Sequence, residues 1–339
     1  MSENPISKKI AIVLLGLVLF VLALNVGISK YFGMNESQGE KKILSGIEID
    51  KTFHAALYNY GFSKDWIESK KIKNISDDSL FAAYSIKVPK DVPIQVLILE
   101  LKFLFANDDV IILAEEISSN KKSLIKITSG NKLKLAAELF YDENLKREYG
   151  SVAFLVYDLP VQNDEQLKEF FNTPELFLPV IIPSEISKKQ ISTIEKANKQ
   201  FALLLNDDIN ELDYKLSDNY SDDRLKKSIK EIVGTFYTAL FFIVDDKSDL
   251  FQSDKYSLIQ TEILKRKISL IHSTDFTSLN LDNMNVEEAF RSFMRSVGKE
   301  DKKNLLLTAD DFSAIIHLIP SFRKIGYRFV YPGEIILTK

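Results

Sequence analysis

Short apolar runs alternate with amphipathic segments from residue 151 to the end of the chain, and this alternation restricts the possible folds more than any other feature. The predicted strands are Val152–Asp158, Leu176–Ile182, Phe201–Leu205, Tyr237–Val244, Ile268–His272, Asn304–Leu307 and Arg328–Tyr331. The predicted helices between them are Asp164–Phe171, Ser187–Asn198, Asp222–Val233, Asp254–Lys265, Val286–Val297 and Phe312–Lys324. Repeated strand–helix alternation predicts parallel strands joined by crossover helices. We therefore expect an α/β fold, an irregular (β/α) barrel of about seven parallel strands.

The preceding block of sequence has a different pattern. Its predicted helices are Ile49–Tyr60 and Val92–Ala106, and the second is expected to be buried because apolar residues follow Pro93 almost continuously. Its predicted strands are Leu80–Val88, Val110–Glu115, Ser123–Thr128 and Lys132–Tyr141. Gly130-Asn131 is a hairpin signal between the last two strands. This block is therefore predicted to be a small α+β domain with a three-stranded meander.

An uncharged, apolar run extends from Ile10 to Ile28 near the start of the chain. A helix needs about 20 apolar residues to cross a membrane. Lys8 and Lys9 precede the run and only Lys30 follows it closely, which favours a cytoplasmic N-terminus. A cleaved signal peptide is the alternative, but the run is longer than the usual apolar region and lacks an A-x-A-like cleavage site. We expect an uncleaved transmembrane anchor.

Five segments are therefore predicted along the chain. They are a cytoplasmic tail (residues 1–9), a transmembrane anchor (10–29), a linker (30–43), the small α+β domain (44–148) and the barrel domain (150–339). This order describes a single-pass membrane protein whose body is periplasmic or otherwise extracytoplasmic.

Composition excludes several classes of function. The net charge of −4 argues against nucleic acid as a partner, since nucleic-acid-binding domains carry basic patches. The absence of cysteine excludes disulfides, zinc–thiolate sites and thiol catalysis. The chain has three histidines, His54, His272 and His317, and no two are spaced as a local metal-binding pair. Of these, His272 alone is predicted to lie at the end of a strand.

Carboxylates recur at the carboxyl ends of the predicted strands, where the chemistry of (β/α) folds is found. The polar residues there are Asp158, Asn206-Asp207-Asp208, Asp245-Asp246, His272 and Asp310-Asp311. Clustered carboxylates can hold Ca²⁺ or Mg²⁺. Aspartate after a strand is also a common turn residue or helix cap, and Asp310 and Asp311 are expected to be caps. The G-x-S-x-G, P-loop and H-E-x-x-H motifs are absent.

Four segments of this block resemble the divergent polysaccharide deacetylase family, which is related to metal-dependent carbohydrate esterases. Val152–Leu159 resembles the family's first strand, and Leu281-Asp282-Asn283 resembles a Leu-Asp-Asn segment that precedes a helix. Lys265–Ser273 is similar to a strand that normally ends in Leu-Asp-Ser, and Gly326–Ile335 is similar to the closing strand. The resemblance covers roughly residues 150–337, and a small domain before such a module is a familiar arrangement in the family.

The resemblance implies a divalent metal held by Asp and His, with a second Asp as base. Asp158 matches the metal-binding Asp, but Tyr157 stands at the base position. The remaining expected positions fall on other residue types: Leu204 for a histidine, Leu240-Phe241-Phe242 for Asn-Asn-His, His272 for an aspartate and Leu307-Thr308-Ala309 for Gly-His-Pro. We therefore expect no conventional metal site and no cofactor. The expected protein has lost deacetylase catalysis and binds an envelope glycan or an envelope protein.

Two alternatives stay open at this stage. In the first, the protein is a metal-dependent carbohydrate hydrolase or deacetylase with a rebuilt site, in which Asp158 and His272 are the catalytic candidates. The ligand candidates at the same rim are Tyr157, Asp207, Asp245, Asp246 and Asp282, and a divalent cation would be held mainly by Asp158, Asp207, Asp245 and His272. In the second, the protein is structural, and exposed apolar patches on the small domain bind its partner.

Overall fold

The structure, a computed structural model, describes residues 41–70, 80–117, 122–147, 149–160, 164–282 and 284–336. The predicted cytoplasmic tail, the transmembrane anchor (10–29) and all of the linker except its last residues lie outside these ranges, and the anchor stays a prediction. Within the described ranges, no helix has both the length and the apolar character needed to span a membrane.

Contacts divide the chain into two compact units that interleave along the sequence. Of the described residues, unit 1 comprises those from Lys41 to Phe53 together with those within Glu68–Ile86 and Ile94–Phe140. Unit 2 comprises His54–Ile67, Lys87–Pro93 and the chain from Tyr141 onward.

A five-stranded sheet and two helices lie mostly in unit 1, although several of these elements extend past its boundaries. In chain order the elements are α1 (Gly46–Asn59), β1 (Ile67–Ser69), β2 (Ala82–Pro89), α2 (Ile94–Leu104), β3 (Val110–Ile117), β4 (Lys122–Ser129) and β5 (Lys132–Asp142). The strand order is β1-β2-β5-β4-β3, and β3, β4 and β5 are antiparallel neighbours. The predicted hairpin is confirmed, because Gly130 and Asn131 both have left-handed φ values of 58° and join β4 to β5. The short strand β1 was not predicted.

Helix α2 differs from its prediction as a buried helix. One side of the helix is buried, and its buried residues are Ile94, Leu97 and Leu101. The opposite side carries Val96, Leu99 and Phe103, which are 39%, 64% and 78% exposed. The described sheet covers only one side of a helix that is apolar on both, so an exposed apolar stripe remains.

Unit 2 is built on a parallel sheet of seven strands with helices between them. The strands are β6 (Ser151–Tyr157), β7 (Leu178–Ile181), β8 (Ala202–Leu205), β9 (Phe242–Val244), β10 (Leu270–His272), β11 (Lys302–Thr308) and β12 (Arg328–Phe329). The helices are α3 (Asp164–Phe171), α4 (Glu185–Lys196), α5 (Asp222–Thr235), α6 (Asp249–Gln252), α7 (Tyr256–Leu264), α8 (Val286–Ser296), α9 (Ala309–Ile315), α10 (Ile319–Ile325) and α11 (Pro332–Ile336). The predicted α/β class is confirmed.

The strand order β10-β9-β8-β7-β6-β11 places the first strand of the series beside the sixth. β11 pairs with β6 from Ser151 to Tyr157, along one whole edge. The other edge of β6 is divided, with β12 at its start and β7 near its end. Beyond β10, Thr277 forms an isolated parallel bridge to Leu305 of β11. The sheet is therefore curled, since a segment that follows one edge strand reaches the other edge strand.

The last predicted helix, Phe312–Lys324, is broken in the structure. A 3₁₀ turn at Ile316–Leu318 separates α9 from α10, and Pro320 lies in the first turn of α10. Proline has no N–H to donate, so it is tolerated in a first turn and not in a helix interior. The prediction of one continuous helix was therefore wrong, and the break lies just before Pro320.

Side chains alternate between the two faces of the parallel sheet. On β6, Val152, Phe154 and Val156 pack against the helices, and Leu155 and Tyr157 point to the other side, which we call the inner face. The buried inner-face cluster consists of Leu155, Leu178, Val180, Ala202, Phe241, Ile243 and Phe276. The concave side of the sheet is therefore packed with apolar side chains.

Candidate functional site at the carboxyl ends of the parallel strands

The end of β6 presents Asp158 to solvent. Asp158 has a φ of 55°, in the left-handed region that aspartate tolerates better than most residues. Its side chain is exposed and borders a cavity of about 200 Å³ between the ends of β6 and β7. The cavity walls are largely apolar, with Val180, Ile182 and Ile186 among them. Asp158 is the one charged residue of this lining, and Ser184, Ser187 and Gln190 are its other polar residues.

Tyr157 precedes Asp158 and lies half-buried on the inner face. Burial raises the pKa of the Tyr157 phenol, and the carboxylates of Asp311 and Asp158 raise it further. The phenol therefore stays protonated at neutral pH. A general base must accept a proton, so Tyr157 does not fill the role of the aspartate that the family resemblance places at this position.

Asp246 and His272 form the most organised polar group at this rim. They follow or end the neighbouring strands β9 and β10, and His272 Nδ1 lies 2.6 Å from Asp246 Oδ1. Thr274 donates to Asp246 Oδ2 from its backbone N–H at 2.9 Å and from its hydroxyl at 2.6 Å. Burial alone would raise the pKa of Asp246, but the hydrogen bonds from Thr274 and His272 outweigh it and lower the pKa. Asp246 is therefore a carboxylate at neutral pH.

The ring of His272 is held by aromatic neighbours as well as by Asp246. Phe251 and Tyr256 meet it edge-on, with ring centroids 5.4 Å and 6.3 Å away. An aspartate that orients a histidine is one part of a nucleophilic triad. The nearby hydroxyl of Ser273 faces carboxylates instead, 3.4 Å from Asp245 Oδ1 and 3.5 Å from Asp246 Oδ2. The geometry is an Asp–His pair without a serine aligned on the histidine.

The remaining acidic candidates are engaged in turns and helix starts. Asp207 Oδ2 accepts the backbone N–H of Asp249 at 2.8 Å, at the first residue of α6. Asp245 Oδ1 accepts the backbone N–H of Lys247 at 3.0 Å, within a turn. Asp282 is exposed after β10.

The predicted caps Asp310 and Asp311 are a further correction. Thr308 is the N-cap of α9, and its hydroxyl accepts the N–H of Asp311 at 3.0 Å. The two aspartates lie in the first turn, where negative charge favours the helix dipole.

Whether a divalent metal could bind at the strand ends depends on the donor atoms that the side chains there supply. Leu204 and Phe241, near the positions expected for histidines, pack with the inner-face cluster, and neither side chain has a donor atom. Within the described ranges, no group of three or more His, Asp or Glu residues is placed to hold a metal ion. This donor set does not fit the metal, because the described carboxylates and the histidine at the strand ends are not grouped closely enough to form a coordination shell.

Both members of the Asp246–His272 pair were candidates from sequence, but the pair itself was not predicted. The contact depends on β9 and β10 being adjacent, which two separate sequence positions do not reveal. The signal that could have found it is polar residues at equivalent ends of consecutive strands. The aromatic neighbours Phe251 and Tyr256 were missed because they come from helices α6 and α7.

The comparisons with known proteins give matches among solved structures, at low sequence identity. No family model matches the sequence, and no curated protein sequence matches it. Among solved structures, a mutant of a CE4 family pseudoenzyme with restored enzymatic activity gives a TM-score of 0.37 at 11% identity. That match covers 65% of this chain and 90% of the other. A second mutant of the same pseudoenzyme gives 0.36 at 12% identity, with the same coverage of both chains.

A third solved structure is the catalytic domain of a peptidoglycan N-acetylglucosamine deacetylase from Eubacterium rectale. Its TM-score is 0.37 at 12% identity, covering 55% of this chain and 90% of that domain. The three matched structures are thus two mutants of a CE4 family pseudoenzyme and one peptidoglycan deacetylase domain. At these values the likeness concerns the arrangement of strands and helices, and function has to be argued from this chain's own residues.

Proposed function

We propose that this protein is a non-catalytic binding module of the cell envelope, held at a membrane by its N-terminal segment and built on a polysaccharide deacetylase-like fold. One observation carries the proposal: the inner face of the parallel sheet is packed with apolar side chains where a deacetylase needs metal ligands. Leu204, Phe241 and Ile243 belong to that packing.

The apolar packing of the inner face stabilises the fold but does not supply the groups that a hydrolytic site needs. Burying a Leu, Ile or Phe side chain contributes about 1.5–3 kcal/mol, so the cluster stabilises the concave side of the sheet. A hydrolytic site needs the opposite arrangement, with open coordination positions and a water beside a base. The acids at the rim instead accept hydrogen bonds from backbone N–H groups, as Asp207 and Asp245 do.

The location rests on the sequence before Lys41. The uncharged run from Ile10 to Ile28 supplies a membrane anchor, and Lys8 and Lys9 favour a cytoplasmic N-terminus. The body then lies outside the cytoplasm, where the partner would be an envelope glycan or an envelope protein. Neither a metal nor another cofactor takes part.

The catalytic part of the proposal is tested by metal content and acetate release. The purified full chain is expected to hold no stoichiometric divalent metal and to release no acetate from acetylated glycans. Asp158→Ala is the test variant, and Asp282→Ala removes the same charge from another exposed rim position. Metal-dependent acetate release that Asp158→Ala abolishes and Asp282→Ala retains would overturn the proposal.

The anchoring part is tested by cell fractionation. The full chain is expected in the membrane fraction after washing with alkaline carbonate, and a variant without residues 1–29 is expected in the soluble fraction. A full chain that carbonate releases from the membrane contradicts the anchor and leaves the catalytic part of the proposal standing.

A further inference from the structure

A cavity of about 600 Å³ lies at the amino ends of β6, β11 and β12. Tyr149 shortly precedes β6, Val297 and Lys299 precede β11, and Tyr327 directly precedes β12. These three strands are neighbours, because β11 and β12 both pair with β6. All the lining residues belong to unit 2. The cavity is therefore at the opposite end of the sheet from Asp158 and His272 and shares no residue with the rim.

The charged residues that line the cavity are cationic. Lys146, Arg147, Arg295 and Lys299 contribute to its walls, and no carboxylate is among the lining residues that the structure describes. Arg147 has a structural role, because its guanidinium is 2.7 Å from Asp91 and donates to the carbonyl of Lys324. A wall of this composition attracts an anion.

Two of these cations are available to a ligand. The side chains of Lys146 and Arg295 are exposed, and the described part of the chain offers neither of them a hydrogen bond or ion pair. Their charges are therefore not neutralised by described neighbours. A phosphate or carboxylate that enters the cavity meets two cations without having to displace an internal partner.

Aromatic side chains form the rest of the recognition surface. Trp66 is half-buried at the cavity and packs edge-on against Phe62, with ring centroids 5.8 Å apart. Tyr149 packs on Tyr327 at 4.7 Å, and the Tyr327 hydroxyl donates to the carbonyl of Met294 at 2.8 Å. The rings hold one another in place, so little side-chain entropy is lost when a ligand packs on them.

We propose that this amino-end cavity binds a ring-bearing anion, with the ring against Trp66 and Tyr149 and its phosphate or carboxylate against Lys146 and Arg295. A volume of about 600 Å³ lies within the usual range for small-molecule sites. A sugar carrying an acidic group has the matching chemistry, since the apolar face of its ring packs on aromatic side chains and its charge is met by the cations. The inference rests on the proposed binding function and locates it.

The chain's single tryptophan is the reporter for the test, because Trp66 lines the cavity. The full chain is titrated at low salt with glucose-6-phosphate and with glucuronate, while tryptophan emission and heat of binding are recorded. Glucose and inorganic phosphate are the comparison probes. At least one acidic sugar is expected to shift the emission saturably, and to bind about tenfold more tightly than glucose or phosphate alone. The tighter of the two acidic sugars identifies the charged group.

Two variants test the location of binding. Arg295→Gln and Lys146→Gln are each expected to weaken binding about tenfold, which corresponds to about 1.4 kcal/mol. Arg291→Gln is the matched control, because Arg291 is an exposed cation of the same helix, α8, and does not line the cavity. Binding in this control is expected to equal that of the unmodified chain. Added salt is expected to weaken binding, since exposed charges are screened.

Two results would overturn the inference. If neither acidic sugar changes the emission or produces heat at millimolar concentration, the cavity is not a site for this ligand class. If a sugar binds equally well to the unmodified chain, Arg295→Gln and Lys146→Gln, its site lies elsewhere. Both results leave the proposed non-catalytic function in place, because that function fails only on metal-dependent acetate release.

Discussion

The two ends of the parallel sheet in unit 2 use charge in opposite ways. At the carboxyl ends, acidic side chains are already engaged: Asp246 binds His272 and Thr274, and Asp207 binds the first N–H of α6. At the amino ends, Lys146 and Arg295 line an open cavity without a described partner. At the carboxyl ends, Asp246 and Asp207 are therefore hydrogen-bonded within the fold while Asp158 stays exposed, and at the amino ends two cations lack a described partner.

The proposed function and the proposed acidic-sugar site together predict that the capacity for binding lies at the amino ends of the sheet and not at the carboxyl ends. Hydrogen bonds hold Asp246 and Asp207 within the rim, whereas Asp158 stays exposed. The cations and the fixed aromatic rings at the amino ends are the groups to which the proposed ligand would bind. The following experiments test the contrast, beginning with the largest expected effect.

Phe154→Ala is expected to destabilise both ends of the parallel sheet together, because β6 runs from just after Tyr149 at one end to just before Asp158 at the other. Phe154 is 1% exposed and its ring packs 5.3 Å from Phe312. Truncation of a buried phenylalanine costs about 3–5 kcal/mol, and urea unfolding measures that loss. Phe103→Ala is the control, because Phe103 is exposed and its truncation is expected to change stability little. A loss below about 1 kcal/mol for Phe154→Ala contradicts a shared core.

Gly61→Ala is expected to disrupt the amino-end cavity and leave the rim intact. Gly61 has a φ of +74°, and an added Cβ would collide with the carbonyl oxygen of Ile325. The expected loss is about 2–3 kcal/mol in the free energy of unfolding, with a shift in the emission of Trp66 nearby.

The control for Gly61→Ala is Gly234→Ala in α5, where an added Cβ meets no atom within 4 Å. This change is expected to be neutral or to stabilise by up to about 1 kcal/mol, since alanine favours helix. Equal effects of the two substitutions contradict the role assigned to the contact between Gly61 and Ile325.

Asp246→Asn is expected to lower the stability of the rim by about 1–2 kcal/mol at neutral pH, because hydrogen bonds to a charged acceptor become neutral ones. The pKa of Asp246 is lower in the folded protein than its ordinary value of 3.8, so the carboxylate contributes stability above that value. The contribution is lost as the pH falls through the lowered pKa. Unfolding of both forms at pH 7 and near pH 3 measures this loss.

The difference in stability between the unmodified chain and Asp246→Asn is therefore expected to shrink in acid. Asp282→Asn serves as the control, since Asp282 is exposed at the same rim and its substitution is expected to have almost no effect. A difference for Asp246→Asn that stays constant between the two pH values contradicts the engagement of a charged Asp246.

Asp158→Gly has the smallest expected effect. The left-handed φ of Asp158 suits glycine, and the added freedom of the unfolded chain offsets the relief, so stability is expected to change by less than about 1 kcal/mol. Binding of acidic sugars at the other end of the sheet is expected to be unchanged. Loss of that binding would show that the two ends are not independent.

The strands and helices of unit 2 could be predicted from sequence because the pattern is local. Buried parallel strands such as β6 are continuous apolar runs, and the helices between them have a clear apolar face. A curled sheet was predicted, as an irregular barrel, but the bridge from Thr277 to Leu305 was not, because Thr277 lies outside any predicted strand. The break before α10 was predictable in principle, since Pro320 marks it.

The amino-end cavity was beyond prediction from the sequence. Trp66, Lys146 and Arg295 lie far apart in the chain. The pairing of β6 with β11 brings the segments of Lys146 and Arg295 together, and Trp66 comes from a separate turn before β1. At the rim, individual candidates were predictable because they end strands. Their hydrogen-bond partners were not, since those come from neighbouring strands and helices.

The division of β6 between distant partners has a consequence for how the protein is made. Ser151–Tyr157 pairs with β11, which begins at Lys302, and with β12, which begins at Arg328. At synthesis rates of about 5–20 residues per second, β6 waits about 10–30 s for these strands. Until β11 is made, the backbone N–H and C=O groups along one edge of β6 are unpaired and can pair with another strand. Unit 2 therefore completes its sheet only after nearly the whole chain has been translated, and truncation before β11 is expected to give an aggregating product.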